Sequence, residues 1–118
     1  MTAYIAGPMT GIPEFNYPAF NAAAAQIRSY GVEVHNPAEN DGGSAGKPWD
    51  FYMRLALRQL IECDEIVLLP GWRASKGARL EWTVANALGM RISELSEWIE
   101  WTAAPQDLVP SSPWTATA

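Results

Sequence analysis

The residues best suited to chemistry lie in one stretch of the chain, residues 64–89, DEIVLLPGWRASKGARLEWTVANALG. A single carboxylate, Glu81, stands in the first turns of a helix predicted there. Three cations, Arg73, Lys76 and Arg79, fall within seven residues just before it, although the whole chain has only eight Lys and Arg. Because the first N–H groups of a helix lack partners within it and the helix dipole is positive there, this pattern predicts an anion site. One acid beside such a site indicates a phosphorylated or sugar-linked ligand.

This stretch has the pattern of a strand, a loop and a helix. EIVLL, at 65–69, is a continuous apolar run of the length of a buried strand, and a proline-glycine turn signal follows it. The polar loop after the turn carries Ser75. The helix is predicted from Gly77 to Gly89, where a C-terminal glycine cap is expected.

The rest of the chain repeats this alternation, and the order β-α-β-α-β-α-β predicts an α/β domain with a parallel sheet and helices on both faces. We expect a three-layer α-β-α, flavodoxin/Rossmann-like fold with four to five strands in the order 2-1-3-4. The segment ELSEWIEW after the fourth strand is either a short helix or an edge strand. The predicted strands are 2–6, 32–35, 65–69 and 90–93, and the predicted helices are about 18–30, 48–63 and 77–89.

Two details of these helices follow from residue types. Asn16 is the expected N-cap of the first helix, since its short amide side chain suits that position. The second helix is predicted to face the core with an apolar stripe made of Met53, Leu57, Leu60 and Ile61.

The predicted strand order also places a crevice. Strands one and three are neighbours and the helices that follow them lie on opposite faces, so a crevice opens at their carboxyl ends. The loops 7–11 and 71–77 flank it, and Tyr4, Ser75 and Glu81 are expected to converge there. Neither a Walker lysine motif nor GxGxxG is present, and no cofactor is expected.

Length, composition and charge limit the number of domains and the kinds of partner that the chain can have. The 118 residues predict one domain at 1–103, and the aperiodic segment 104–118 predicts an extended or disordered tail. A net charge of −5 argues against a nucleic-acid polymer or an anionic membrane as partner.

His35 is the only histidine, with no second histidine or cysteine near it, so no metal site is expected. With no signal peptide pattern and no apolar run of about 18 residues, a cytoplasmic protein is expected.

Four motifs carry a resemblance to a known superfamily: YIAGPMTG (4–11), FNYPAFNAAA (15–24), HNPAEN (35–40) and CDEIVLLPGWRASKGARLEW (63–82). In these motifs the chain resembles the nucleoside 2-deoxyribosyltransferase-like superfamily and, within it, a small family of bacterial and phage proteins. The resemblance covers residues 4–92 and implies the flavodoxin-like sheet already predicted.

The resemblance also implies chemistry at an N-glycosidic bond. The expected activity is hydrolysis of a nucleoside or nucleoside 5′-monophosphate, or transfer of its deoxyribose. Glu81 matches the glutamate that attacks the anomeric carbon, and Tyr4 matches the tyrosine that helps to orient it. Arg79 and the helix N-terminus are expected to keep this carboxylate ionised.

The substrate-binding residues follow from the same motifs. Ser75 matches the serine that helps to bind the 5′-phosphate in nucleotide hydrolases of the superfamily, together with amides of the glycine loops. The residues expected to contact substrate are Gly7, Pro8, Met9, Thr10, Gly11, Asn36, Gly71, Trp72, Ser75, Gly77 and Arg79.

One position departs from the pattern of the active enzymes. They have an aspartate on the second helix that assists the leaving base, and here the matching position is Ala56, with no acid within three positions on either side. General acid assistance is typically worth ~10²–10⁴-fold, so slow cleavage, or binding without cleavage, is the alternative expectation. Asp41 and Glu39 are candidates to substitute for the missing acid.

Three classes of function therefore stay open. The chain is an enzyme that uses Glu81, a catalytically weak or inactive nucleotide-binding protein that sequesters or senses its ligand, or an assembly protein with a vestigial cleft. A homodimer or a higher homo-oligomer is expected in each case, because the superfamily's enzymes are dimers or larger. Trp98 and Trp101 need burial, and a partner subunit is one place to find it.

Overall fold

The computed structural model describes residues 1–40 and 47–103. The predicted tail at 104–118 and the candidate acid Asp41 lie outside the described residues. Three short 3-10 helices, Pro13–Asn16, Pro37–Glu39 and Trp72–Ala74, lie in the connections. The main elements are β1 (Thr2–Ala6), α1 (Tyr17–Arg28), β2 (Glu33–His35), α2 (Trp49–Ile61), β3 (Glu65–Leu68), α3 (Lys76–Ala87), β4 (Arg91–Glu94) and α4 (Leu95–Ala103).

The four strands form one parallel sheet in the order β2-β1-β3-β4, as the sequence predicts. In the register of the two central strands, Tyr4 of β1 lies beside Ile66 of β3. The segment after β4 forms the helix α4, so the alternative of an edge strand is excluded. Within the described ranges, no helix is long and apolar enough to cross a membrane.

The helices cover both faces of this sheet and make it a three-layer α/β fold. Side chains alternate along β1, so Tyr4 and Ala6 pack with α2 and α3, whereas Ala3 and Ile5 pack with α1 and α4. All four of these side chains are buried. The central strands β1 and β3 therefore lie between two apolar layers. Tyr4 lies in the layer between the sheet and the helices α2 and α3.

Two apolar side chains depart from the sequence expectation. Ile61 is 58% exposed, so its place in the predicted stripe of α2 is wrong. Ala56 and Leu60 face the sheet, and one further residue turns the helix by about 100°, which directs Ile61 to solvent. Trp98 is only 2% exposed, packs edge-on against Tyr30 and thus needs no partner subunit for burial. Trp101 is half-buried.

The connection from β1 to α1 contains a left-handed turn. Glu14, Phe15 and Asn16 have φ values of +57°, +52° and +61°, which cost about 1–2 kcal/mol for each residue other than glycine. Asn16 occupies the predicted N-cap position, but its side chain makes no capping bond. Its amide instead donates to the carbonyl of Pro8 at 2.9 Å, which ties the loop 7–11 to the start of α1.

This strain leads to a stability prediction. The Glu14 side chain is exposed, so Glu14→Gly removes left-handed strain with little loss of packing. We expect the free energy of unfolding in urea to rise by about 1 kcal/mol. The matched control is Glu100→Gly, in the right-handed helix α4, which is expected to lower it by about 1 kcal/mol. A loss of stability in both variants would show that the turn at Glu14 is not strained.

Candidate functional site

The centre of the candidate site is a buried pair, Tyr4 and Glu81. Tyr4 is fully buried in the middle of β1, and its phenol donates a hydrogen bond to Oε2 of Glu81, which is 6% exposed. The spacing of Ala78, Glu81 and Ala85 places all three on the face of α3 that packs against the sheet. Because both alanines are small, the carboxylate is flanked by little side-chain bulk.

The environment of Glu81 favours its neutral form. Burial raises its pKa from the usual 4.5 to about 7, and the hydrogen bond from Tyr4 opposes that rise. Burial, followed by the charge of Glu81, raises the pKa of Tyr4 well above its usual value, so the phenol stays protonated. The expectation that Arg79 keeps Glu81 ionised is wrong. Arg79 precedes Glu81 by two positions on α3, so its side chain lies about 200° around the helix from that of Glu81 and is exposed.

The raised pKa predicts a pH dependence of stability. A carboxyl whose folded pKa is raised contributes stability that is complete below about pH 4.5 and is lost as the pH rises through about 7. Relative to Glu81→Gln, the free energy of unfolding of the native chain should therefore fall by roughly 3 kcal/mol between pH 4.5 and 8. Glu65, whose pKa burial also raises, titrates in both proteins and cancels in the comparison. Parallel urea stability curves across this pH range would contradict the raised pKa.

The two glycine loops lie against each other at the carboxyl ends of β1 and β3. A Cβ at Gly7 would lie 2.8 Å from the Cβ of Leu69, so only glycine allows the chain after β1 to pass that close. Gly71 has a φ of +86°, and a Cβ there would lie 3.4 Å from Cγ of Pro8. The structure therefore brings the two predicted loops together at the carboxyl ends of the central strands.

The start of α3 is built from two further predicted site residues. Ser75 is its N-cap, and its hydroxyl accepts a hydrogen bond from the amide of Ala78 at 3.2 Å. A Cβ at Gly77 would lie 3.2 Å from the sulfur of Met53, so this glycine lets α2 approach the start of α3. Both residues thus have a structural role that is independent of any ligand.

Within the loop 7–11 the residues differ in exposure. Met9 is half-buried and packs into the apolar layer under α1 and α4, the face opposite to Glu81. Thr10 is exposed, and Gly11 has a φ of +81°. The loop is therefore anchored at Met9 and presents Thr10 to solvent.

Two predicted substrate contacts have their polar groups engaged by the protein. Asn36 is 3% exposed, donates from its amide to Asn21 at 2.9 Å and accepts from the amide of Ala38 at 3.1 Å. The indole N–H of Trp72 donates to Glu94 at 3.3 Å. These contacts hold the segments that follow β2 and β3, and Asn36 has almost no exposed surface for a ligand.

The position of the missing acid is occupied by a buried alanine. Ala56 is buried on α2 in the same apolar layer as Tyr4. Glu39, a candidate substitute, forms an ion pair with Arg28 at 2.9 Å, and hydrogen bonds from that guanidinium lower its pKa. A lowered pKa is the opposite of what a general acid requires, so Glu39 is poorly suited to protonate a leaving base.

Comparison with known proteins places this chain in a family. The profile described as Domain of unknown function (DUF4406) matches residues 1–94. The chain belongs to the DUF4406 family. The match extends from the residue before β1 to the end of β4, so it includes both Tyr4 and Glu81 and excludes α4. No curated protein matches the chain.

Two carboxylates of this DUF4406 chain were not singled out by sequence reasoning. Glu65 is 2% exposed on the opposite face of the sheet, where it accepts the indole N–H of Trp98 at 2.9 Å. Glu94 accepts the indole N–H of Trp72 and lies 3.6 Å from the guanidinium of Arg73. The only sequence signal is that Glu65 opens an apolar strand, where a charge is unexpected. Both acids hold elements of this DUF4406 domain together.

The groove beside α4 of the DUF4406 domain does not include this pair. A groove of about 580 Å³ lies between α4 and the turn after β3, and its lining includes Trp72, Arg73, Glu94 and Glu100 but neither Tyr4 nor Glu81. Among the described residues, no cluster of three or more His, Cys, Asp or Glu side chains could hold a metal ion. The chemistry available at Glu81 is therefore that of a desolvated carboxyl beside a phenol.

Proposed function

We propose that this protein cleaves the N-glycosidic bond of a nucleoside or nucleoside 5′-monophosphate, as a hydrolase or a deoxyribosyltransferase, with Glu81 as the nucleophile. The observation that carries the proposal is the buried Tyr4–Glu81 pair, in which a carboxyl has one phenol as partner and no ion pair. Burial raises the pKa of this acid to about 7, and a buried carboxyl with a strongly raised pKa is a candidate for catalysis. The resemblance of the motifs to nucleoside 2-deoxyribosyltransferases supports the same reading.

The proposed reaction has two displacement steps. In the first, an ionised oxygen of Glu81 bonds to C1′ of the sugar, and the C1′–N bond breaks with its electron pair going to the base, which takes up a proton from solvent. In the second, water or the nitrogen of another base attacks C1′ and loses a proton. As the new bond to C1′ forms, the bond between C1′ and the carboxylate oxygen breaks with its electron pair going to Glu81, which restores the carboxylate.

Tyr4 suits the orienting role in this reaction. Its phenol is held in the middle of the central strand, and its hydrogen bond to Oε2 leaves the other oxygen of Glu81 to reach the sugar. This bond also lowers the pKa of Glu81, so it increases the ionised fraction near neutral pH. Tyr4 is therefore a positioning residue for the nucleophile.

The second candidate is a protein that binds a nucleotide without cleaving it. Two observations favour it: Ala56 replaces the expected acid in the layer that faces Tyr4, and Glu81 is only 6% exposed. Binding would then sequester or sense the ligand. We propose a homodimer or a larger homo-oligomer in either case. Large apolar side chains exposed on α2, on α3 and just after α3 support this assembly, namely Trp49, Phe51, Ile61, Leu80 and Leu88. We place the protein in the cytoplasm.

One experiment separates these candidates. The protein is incubated with nucleosides, 2′-deoxynucleosides and their 5′-monophosphates, and both released base and the melting temperature are measured. Ligands that bind only the folded state raise the melting temperature, so binding without cleavage still registers. Released base supports the enzyme, a shift without base supports the binding protein, and the absence of both contradicts both proposals.

A further inference from the structure

The carboxyl of Glu81 is nearly closed off from solvent in the structure. The residue is 6% exposed, and its partner Tyr4 is fully buried. A nucleophile must come close to the carbon that it attacks, so a neighbouring side chain has to move before a sugar can reach Glu81. Ligands of such sheets bind at the carboxyl ends of the strands, so the side chain that moves should lie between those ends and Glu81.

Gly77 lies on this route. It precedes Glu81 by four residues on α3, so both residues are on the same face of the helix, and Gly77 is one turn nearer to the carboxyl ends of the strands. The sulfur of Met53, on α2, lies against Gly77, because a Cβ at that glycine would be 3.2 Å from it. The thioether of Met53 therefore lies on the route by which a ligand would reach Glu81.

Met53 has a side chain that can clear this route. It is unbranched and has three rotatable bonds, so its thioether can change position without movement of the backbone. Ala78 and Ala85 on α3, and Ala56 on α2, also lie in the layer around Glu81, but their side chains end at Cβ. A change of rotamer at Met53 is therefore a simple way to admit a ligand.

The first turns of α2, which carry Met53, are anchored less firmly than the rest of the helix. The N-cap residue Pro48 has no side-chain capping bond, and the buried residues of α2, Ala56 and Leu60, both lie in its second half. Segments with few buried contacts open more readily than the core of a domain. Met53 thus belongs to the part of α2 that can yield to a ligand.

We infer that Met53 is a gate to the Glu81 site: its thioether closes the route past Gly77 and turns aside when a substrate enters. This inference rests on the proposed function and adds to it a residue that controls access. Shortening the side chain to alanine should leave the route open. Leucine has a similar volume and should keep it closed.

The kinetic test measures base release from 2′-deoxynucleosides by the full chain. In Met53→Ala we expect KM to fall about fivefold and kcat to change less than about twofold, because a site that is open only part of the time binds more weakly by the open fraction. Met53→Leu should reproduce the native KM. So should Met90→Ala, which shortens a half-buried methionine packed against the same apolar layer. A KM that is unchanged or raised in Met53→Ala, or that falls equally in Met90→Ala, would overturn the inference while leaving the proposed function intact.

A second measurement needs no turnover and decides the inference if no base is released. Carboxyls of the full chain are labelled with a water-soluble carbodiimide and glycinamide, and peptide mapping gives the rate at Glu81, with the exposed Glu62 as internal reference. We expect Met53→Ala to label Glu81 about fivefold faster than the native chain, and Met53→Leu and Met90→Ala to stay within about twofold of it. That result supports the gate even though the proposed function fails. Equal rates in the native chain and Met53→Ala, or an equal rise in Met90→Ala, overturn it.

Discussion

Glu81→Gln is expected to lower the rate of base release by about 10³-fold or more, because an amide cannot displace the base from C1′. The variant should still fold and bind, since glutamine has the shape of the neutral acid and its oxygen can accept the hydrogen bond from Tyr4. Above pH 7 it should be more stable than the native chain, because it avoids the cost of a buried charge. The measurement is chromatography of released base, with thermal shift for binding.

The matched control is Glu62→Gln, which neutralises an exposed acid at the end of α2. It should release base at the native rate. Tyr4→Phe should show an intermediate loss and a pH–rate profile displaced to higher pH, because the hydrogen bond that lowers the pKa of Glu81 is gone. Base release that is equal in the native chain and in Glu81→Gln would exclude Glu81 as the nucleophile.

Ala56→Asp is expected to raise the rate of base release by about 10²-fold, since general acid assistance is typically worth ~10²–10⁴-fold. The site suits an acid because Ala56 is 8% exposed and shares an apolar layer with Tyr4. Burial in that layer would raise the pKa of the new carboxyl and keep it protonated near neutral pH, as a proton donor requires. The added polar group should lower the free energy of unfolding by about 1–3 kcal/mol.

Ala56→Asn is the control for this gain. It introduces a side chain of similar size and polarity that has no acidic proton, so it should not accelerate base release. The gain in Ala56→Asp should also disappear at high pH, where the new carboxyl ionises. If the aspartate and asparagine variants release base at the same rate, Ala56 does not occupy the position of the leaving-group acid.

The fold could be predicted because its signals are local and periodic. The apolar runs at 2–6 and 65–69, the alternating segment 32–35 and the glycines at the ends of the helices mark the elements directly. The rule that parallel crossovers are right-handed then restricts the strand order. The pairing of Tyr4 with Glu81 follows from the same elements, because one lies on the central strand and the other faces that strand from α3.

The charge distribution could not be predicted from proximity along the chain. Arg73, Lys76 and Arg79 are close in sequence, yet Arg73 lies over Trp72, Lys76 lies over Trp49, and Arg79 is exposed on α3. Their aromatic and acidic partners, such as Trp49 and Glu94, come from distant segments. The raised pKa of Glu81 likewise depends on how deeply α3 packs, which residue types alone do not give.

The left-handed turn at Glu14–Asn16 could not be predicted from the sequence either. Of its residues only Asn16 belongs to a type that adopts positive φ with some ease, and that residue was expected to be a helix cap. The turn is stabilised by a tertiary contact, the hydrogen bond from Asn16 to the carbonyl of Pro8. Such a contact depends on loop geometry that residue propensities do not specify.

The central claim, that Glu81 bonds to the sugar, is tested most directly by trapping the covalent intermediate. A 2′-deoxy-2′-fluoronucleoside destabilises positive charge at C1′, so the sugar that is transferred to the carboxylate should leave slowly. Intact-mass measurement should then show one added fluorodeoxyribosyl group, and peptide mapping should place it on Glu81. Released base from a chain that carries no sugar, or a sugar attached to another carboxylate, would contradict this account.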